Sequence, residues 1–309
     1  MRHIRDSSGI RIGGGSDKRA LAQMGYFHGY KGYRYSGTAT KRIPYSGFDE
    51  LRAVVDFDTN LKAMFYPVLM KLEMTMKNLA LVEMLRAADS SLLGDVLARL
   101  MPGDKRDRRK GKLEVMHSSN GVLLDSYRRN SAIVRHYYDS PEQTVPLWAL
   151  MEVITLGHFA RFLEQLSNPV LNQVAGSWGL QKRDAELVPH LVFAMTDLRN
   201  CVAHNGTVFD TRFATAGIRR QVPALLVREI GFPQSVRVEF DTITDYFVVI
   251  VYLAGCIGFP KREVHGVIKR YSALTDELRS RVPVRIFDMI VHTDNRAKIA
   301  QLERWVRSR

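Results

Sequence analysis

Arg199-Asn200-Cys201-Val202-Ala203-His204 places an arginine, an amide and a histidine within six residues. A guanidinium that keeps its proton, close to an imidazole that titrates near neutrality, suits the splitting of a phosphodiester without a metal. Arg199 and His204 lie about 140° apart round a regular helix, so they share no face if the helix runs on. Asn205-Gly206 predicts that it stops at His204. There the macrodipole favours a cation, and an imidazole suits general acid–base work. Asn200 then supplies an amide that orients the imidazole or a ribose hydroxyl. The same residues also fit a bland arrangement, with His204 capping the helix and Arg199 paired with Asp197 or Glu152. Two copies of so short a constellation can meet across a two-fold axis and surround one phosphate.

The 309-residue chain carries a formal net charge of +13, which makes a nucleic acid the expected source of that phosphodiester. The surplus is clustered. Lys105, Arg106, Arg108, Arg109, Lys110 and Lys112 follow Pro102-Gly103; Arg128, Arg129, Arg135 and His136 form a second group; Arg296, Lys298, Arg304, Arg307 and Arg309 form a third. A single such run is equally a solvated helix face or loop, but three favour phosphate contact, each neutralised phosphate adding salt-dependent affinity. Tyr26, Phe27, Tyr30, Tyr33 and Tyr35 alternate with His28, Lys31 and Arg34. That interleaving fits base stacking beside phosphate charge, or an irregular segment pinning its aromatics into a core.

Composition excludes several classes. At 46% hydrophobic and 25% charged residues the chain is an ordinary globular protein with one large or two small domains. The longest apolar run, 246–257, is too short to span a bilayer, and the arginine-bearing start lacks an apolar signal region, so no membrane and no secretion are expected. Two cysteines suit a reducing cytoplasm. No Cys-x-x-Cys or His-Glu-x-x-His is present, and no metal or other cofactor is expected.

The elements that must position these residues read as all-α. A glycine- and serine-rich tail covers 1–17, and a short helix follows at 18–25. Apolar residues at three and four spacing from Phe48 to Met76 predict helix, broken at Asp56-Phe57-Asp58 and kinked at Pro67. Helices are expected at 92–101, then a basic loop, then at 112–138, 147–166, 170–178, 183–204, 240–257, 262–280 and 295–307, with a weak strand at 284–291. Trp148 and Glu152 are one helical turn apart. Trp148 reads as core. Glu152, on an otherwise apolar face, needs a cation, for which Arg199 is the obvious candidate. Cys201 reads as a small buried hydrophobe, since no thiolate-stabilising partner beyond His204 is evident.

The run from Phe193 to His204, followed by Phe209 and Arg212, resembles the Leu-Arg-Asn-x-x-Ala-His signature of the HEPN superfamily, and within it the Abi-like, abortive-infection branch of bacterial defence proteins. Gly25-Tyr26-Phe27 with Tyr30 looks like that branch's N-terminal glycine-tyrosine motif. Phe48-Asp49-Glu50-Leu51, Phe57 to Leu61 and Lys71 to Lys77 resemble its first long helix. Val145-Pro146-Leu147-Trp148 through Glu152 to Gly157 is similar to its Pro-x-Trp…Glu…Phe-Gly segment. Thr207 stands where the branch usually has arginine, Lys77 replaces an arginine, and Leu156 replaces a phenylalanine. The resemblance implies a HEPN-type helical bundle over 18–213 with helical additions at both ends, 214–309 being an extension that packs with it or stands apart. It further implies a metal-independent endoribonuclease, commonly dimeric, with Arg199 and His204 catalytic and Asn200 helping. The RNA 2′-OH would be the nucleophile. RNA is the expected partner, as substrate or as a restraining regulatory RNA, a non-catalytic RNA-binding module being the alternative.

Overall fold

The computed structural model describes residues 9–103, 106–141, 143–211 and 221–309. Every regular element among them is helical, and the β-type pairings are isolated bridges such as Arg11 with Gly47. Ile10 is buried and the Arg11 amide donates to the Ser46 carbonyl at 3.1 Å, so the described part of the expected tail is tied to the body. Helices α1 (Gly15–Met24) and α2 (Tyr26–Gly29) follow, then the 41-residue α3 (Phe48–Ala88).

Helix α3 is continuous through Pro67 and through the expected break at 56–58. Two acids there resembled a solvated helix end. Asp58 instead occupies a core position between Val54 and Leu61 and is fully buried, with its carboxylate satisfied from other segments, while Asp56 pairs outward with Arg281 at 2.7 Å. Helix α4 (Leu93–Leu100) leads to α5 (Arg106–Arg128) and α6 (Ala132–Tyr138). The basic run expected as a loop therefore forms the first turns of α5. The expected single helix over 112–138 divides where Asn130 adopts a left-handed φ of 60°.

The expected 147–166 helix also divides, into α7 (Leu147–Val153) and α8 (Leu156–Glu164). Ile154 is extended, and Thr155 restarts the helix by accepting the His158 amide on its hydroxyl at 3.3 Å. Helix α9 (Asn168–Ser177) and a 3₁₀ turn (Lys182–Leu187) precede α10 (Val188–Ala203), which carries the arginine–histidine motif.

Helices α11 (Gln221–Ile230), α12 (Ile243–Cys256), α13 (Lys261–Arg281), α14 (Val284–Ile290) and α15 (Asn295–Ser308) complete the chain. Helix α11 was not expected. The region read as a strand is α14, which buries Ile286, Phe287 and Ile290 at helical spacing behind Pro283. Helix α12 is apolar on nearly all sides and packs on α10 and α3. Tyr271 of α13 stacks on Phe247 of α12 at 4.0 Å, and both rings meet Phe65 of α3. One apolar core thus runs from Ile10 to Val306. The expected boundary at 213/214 lies outside the described residues. No helix among those described is long and apolar enough to cross a membrane.

Candidate active site

Helix α10 ends as the Asn-Gly pair requires. His204 is the capping residue, Asn205 takes a left-handed φ of 54°, the Gly206 amide bonds to the Cys201 carbonyl at 2.8 Å, and the Asn205 amide to the Val202 carbonyl at 3.4 Å. This is a Schellman ending, with asparagine where a side chain best tolerates positive φ. Gly206 is needed for space: a Cβ there would lie 2.7 Å from Cys201 Sγ. His204 consequently stands exposed at the helix end.

Partners along α3 show that α10 lies antiparallel to it: Arg199 meets Glu73, Asn205 meets Lys62 and Val208 meets Asp58. Two acid–lysine pairs on α3, each spaced i,i+4, hold the two ends of the motif. At the arginine end, Glu73 accepts from Arg199 Nε at 2.9 Å and from Lys77 Nζ at 2.9 Å. Lys77 also donates to the Ile154 carbonyl at 2.7 Å. The division between α7 and α8 thus has a structural use, since a helical Ile154 would commit that carbonyl to its own helix. Arg199 Nη1 donates to Asn200 Oδ1 at 3.3 Å, and Nη2 has no partner among the described residues. Arg199, Glu73, Lys77, Asn78, Met151 and Glu152 line a cavity of about 270 Å³.

At the histidine end, Asp58 accepts from Tyr33 Oη (2.8 Å), from the amides of Val208 (2.7 Å) and Phe209 (2.9 Å), and from Lys62 Nζ (3.1 Å). Lys62 also donates to Asn205 Oδ1 at 2.9 Å and to the Gly206 carbonyl at 3.3 Å. Burial first, and then the Asp58 charge, push the Tyr33 phenol far up, so it serves as a hydrogen-bond donor. Tyr33, Lys62, His204, Asn205 and Thr207 line a second cavity of about 290 Å³. In one chain, therefore, Arg199 and His204 open on different cavities, as their angular separation predicts.

Other expectations fare differently. The carboxylate of Arg199 is Glu73, not Glu152 or Asp197; Glu152 is exposed on α7, on the rim of the arginine cavity, so it needs no buried partner. Trp148 is not core: it is 38% exposed and meets Tyr137 edge-on at 5.6 Å. Burial, then the charges of Asp58 and Asp210, push the Cys201 thiol up to about 12, which fits a hydrophobe and not a nucleophile. Of the basic residues, Arg106, Arg108, Arg109 and Lys110 are exposed on the first turns of α5, and Arg128 and Arg129 at its end. Lys105 lies outside the described residues. Lys31 sits over Tyr26 and Arg34 over Tyr30 and Tyr35, while Tyr30 and Tyr33 are buried.

Asp58, Lys62, Glu73, Lys77 and Tyr33 were not singled out as site residues. The signal for four of them was present: acids and lysines four apart at positions that α3 turns to the core. The described residues thus form an all-α bundle whose motif helix ends in an exposed histidine, with the two cavities lined from its two ends. A family model described as Abi-like protein matches residues 19–210, and the chain belongs to that family. Membership points to abortive infection, an anti-phage defence. No curated protein and no solved structure matches the chain.

Proposed function

We propose that the chain is a metal-independent endoribonuclease of the HEPN superfamily, acting in the cytoplasm in anti-phage defence. The observation that supports this best is the arrangement round α10: Arg199 is fixed by Glu73 and lines one cavity, and His204 is exposed at the helix cap beside another. A ribose 2′-OH attacks phosphorus, the bond to the 5′-oxygen breaks, and a 2′,3′-cyclic phosphate and a 5′-OH result. His204 serves as general acid or base, Arg199 takes the charge that develops on the phosphoryl oxygens, and Asn200 is the polar helper. Base, acid and charge stabiliser together exceed what one histidine and one arginine on separate cavities provide. A homodimer with the two motifs facing each other supplies a second copy of each.

The test is incubation of purified protein with mixed RNA in EDTA, beside Arg199→Ala and His204→Ala. Cleavage that leaves cyclic-phosphate ends and is lost in both variants supports the reading. Cleavage that requires added divalent metal overturns the mechanism. Intact RNA, held tightly and released by salt, identifies instead a non-catalytic RNA-binding module, for which the exposed basic turns of α5 are suited. A preparation at low salt is expected to carry RNA, seen as absorbance at 260 nm that high salt removes.

A further inference from the structure

Trp148 is the exposed member of three tryptophans: Trp178 is fully buried and Trp305 nearly so. It belongs to a run of rings at the surface. Tyr137 meets Trp148 at 5.6 Å, and His136 meets Tyr137 at 5.0 Å, each edge-on. Edge-on packing braces these rings while leaving tryptophan face area open. Arg135, next to His136 on α6, is exposed and lies over the Tyr127 ring at 5.4 Å, and Arg128 and Arg129 are exposed at the end of α5. The nearby Asp139 is occupied by Tyr127 Oη at 2.9 Å, with Arg135 at 3.9 Å.

One turn further along α7 lies the lining of the arginine cavity. Trp148 and Glu152 are one turn apart on α7, and Glu152 lines the cavity with Arg199. An aromatic platform on a face that also carries exposed arginines, one helical turn from a cavity lined by a guanidinium, is the composition that holds single-stranded nucleic acid, with bases on rings and phosphates on cations. Glu152 accepts hydrogen bonds only, so it suits a base amino group or a ribose hydroxyl and repels phosphate.

We infer that the face formed by His136, Tyr137 and Trp148 is the docking track for a single-stranded RNA, with a base stacked on Trp148 and the chain continuing past Glu152 to Arg199. This rests on the reading that the protein acts on RNA, and it names the strand state and the residue that receives the base.

The experiment uses full-length His204→Ala protein, so that the probe stays intact, and a mixed-sequence single-stranded RNA octamer. Stacking on Trp148 quenches tryptophan emission as the octamer is added; an abasic octamer of equal length quenches little, and so does a duplex. Trp148→Ala abolishes the quench and weakens octamer binding, read by anisotropy of a labelled strand, by about tenfold or more, while Trp148→Phe restores most of the affinity. Unchanged affinity in Trp148→Ala, or equal quenching by the abasic strand, overturns the inference. A variant that alters the association state of the protein but not its affinity for the octamer also overturns it, and marks the rings as a protein interface. Failure is separable from failure of the nuclease reading. Wild-type protein that quenches without cutting keeps the track and loses the enzyme, whereas cutting with an unaltered KM in Trp148→Ala loses the track alone.

Discussion

Replacing Asp58 is the most informative single perturbation of this fold. Its fully buried carboxylate receives four donors: one phenol, two backbone amides and one ammonium. Asp58→Ala leaves the Val208 and Phe209 amides, both buried, without an acceptor, strips the Tyr33 hydroxyl of its partner, and leaves Lys62 held only by Asn205 and Gly206. Each orphaned buried donor costs about 1–3 kcal/mol, and removing one member of a buried charge pair costs about 3–5 kcal/mol. These costs overlap because the segment after His204 relaxes, so the expected loss is about 4 kcal/mol. Asp58→Asn keeps an acceptor for the two amides but presents an NH₂ toward Lys62, and should lose about half as much. Urea unfolding followed by circular dichroism reads both variants, with the midpoint shift interpreted only if the slope is unchanged. A loss below about 1 kcal/mol in Asp58→Ala would refute the assignment of this carboxylate as the anchor of the histidine cavity. Equal losses in both variants would refute the claim that its amide acceptor role matters.

Glu73→Ala should destabilise the protein by about 3 kcal/mol or more, because the buried Lys77 loses its counter-charge and keeps only the Ile154 carbonyl, whereas Arg199→Ala should cost about 1 kcal/mol or less since that side chain is a quarter exposed. Thermal melts of the two variants separate positioning from chemistry, both being expected to lose RNA cleavage. Gly206→Ala should cost about 1–3 kcal/mol through the contact with Cys201 Sγ, and adding Cys201→Ala should recover most of it, as a double-mutant cycle by urea unfolding will read. Neither Cys201 nor Cys256 should label with a thiol reagent at pH 8 in the native state, both thiols being pushed up mainly by burial. Since the folded Cys201 thiol lies near 12, above its unfolded value, the stabilisation from keeping it neutral is complete at neutral pH. It is lost as pH rises from the ordinary thiol range toward 12, which native-state labelling against pH will show.

The motif helix was legible because its signals are local: apolar spacing, an Asn-Gly stop, and an angular offset that puts Arg199 and His204 on different sides. The acids of α3 were misread because their partners are remote. Asp58 resembles a helix break until the Val208 and Phe209 amides, 150 and 151 residues on, are seen to bond to it. Glu152 drew attention as an acid on an apolar face, while the carboxylate that meets Arg199, Glu73, lies 126 residues away and no local spacing points to that contact. The break at Ile154 carries one local sign, the capping Thr155, while the use of the freed Ile154 carbonyl by Lys77, 77 residues earlier, is remote. The Trp148 error has a plainer cause. A tryptophan among leucines on a short helix has the pattern of core, but Leu147, Ala149, Leu150 and Met151 take the buried side of α7 and leave Trp148 on the other.

The separation between Asp58 and its amides also bears on biosynthesis. At about 5–20 residues per second, roughly 8–30 s pass between the emergence of residue 58 and that of its acceptor-seeking amides, and α13, which braces α3, appears later still. A ribosome-bound chain short of Phe209 has neither the anchored segment after His204 nor a closed cavity around it. The cavity beside His204 is thus assembled only late in synthesis, its timing set by the order in which the polypeptide leaves the tunnel.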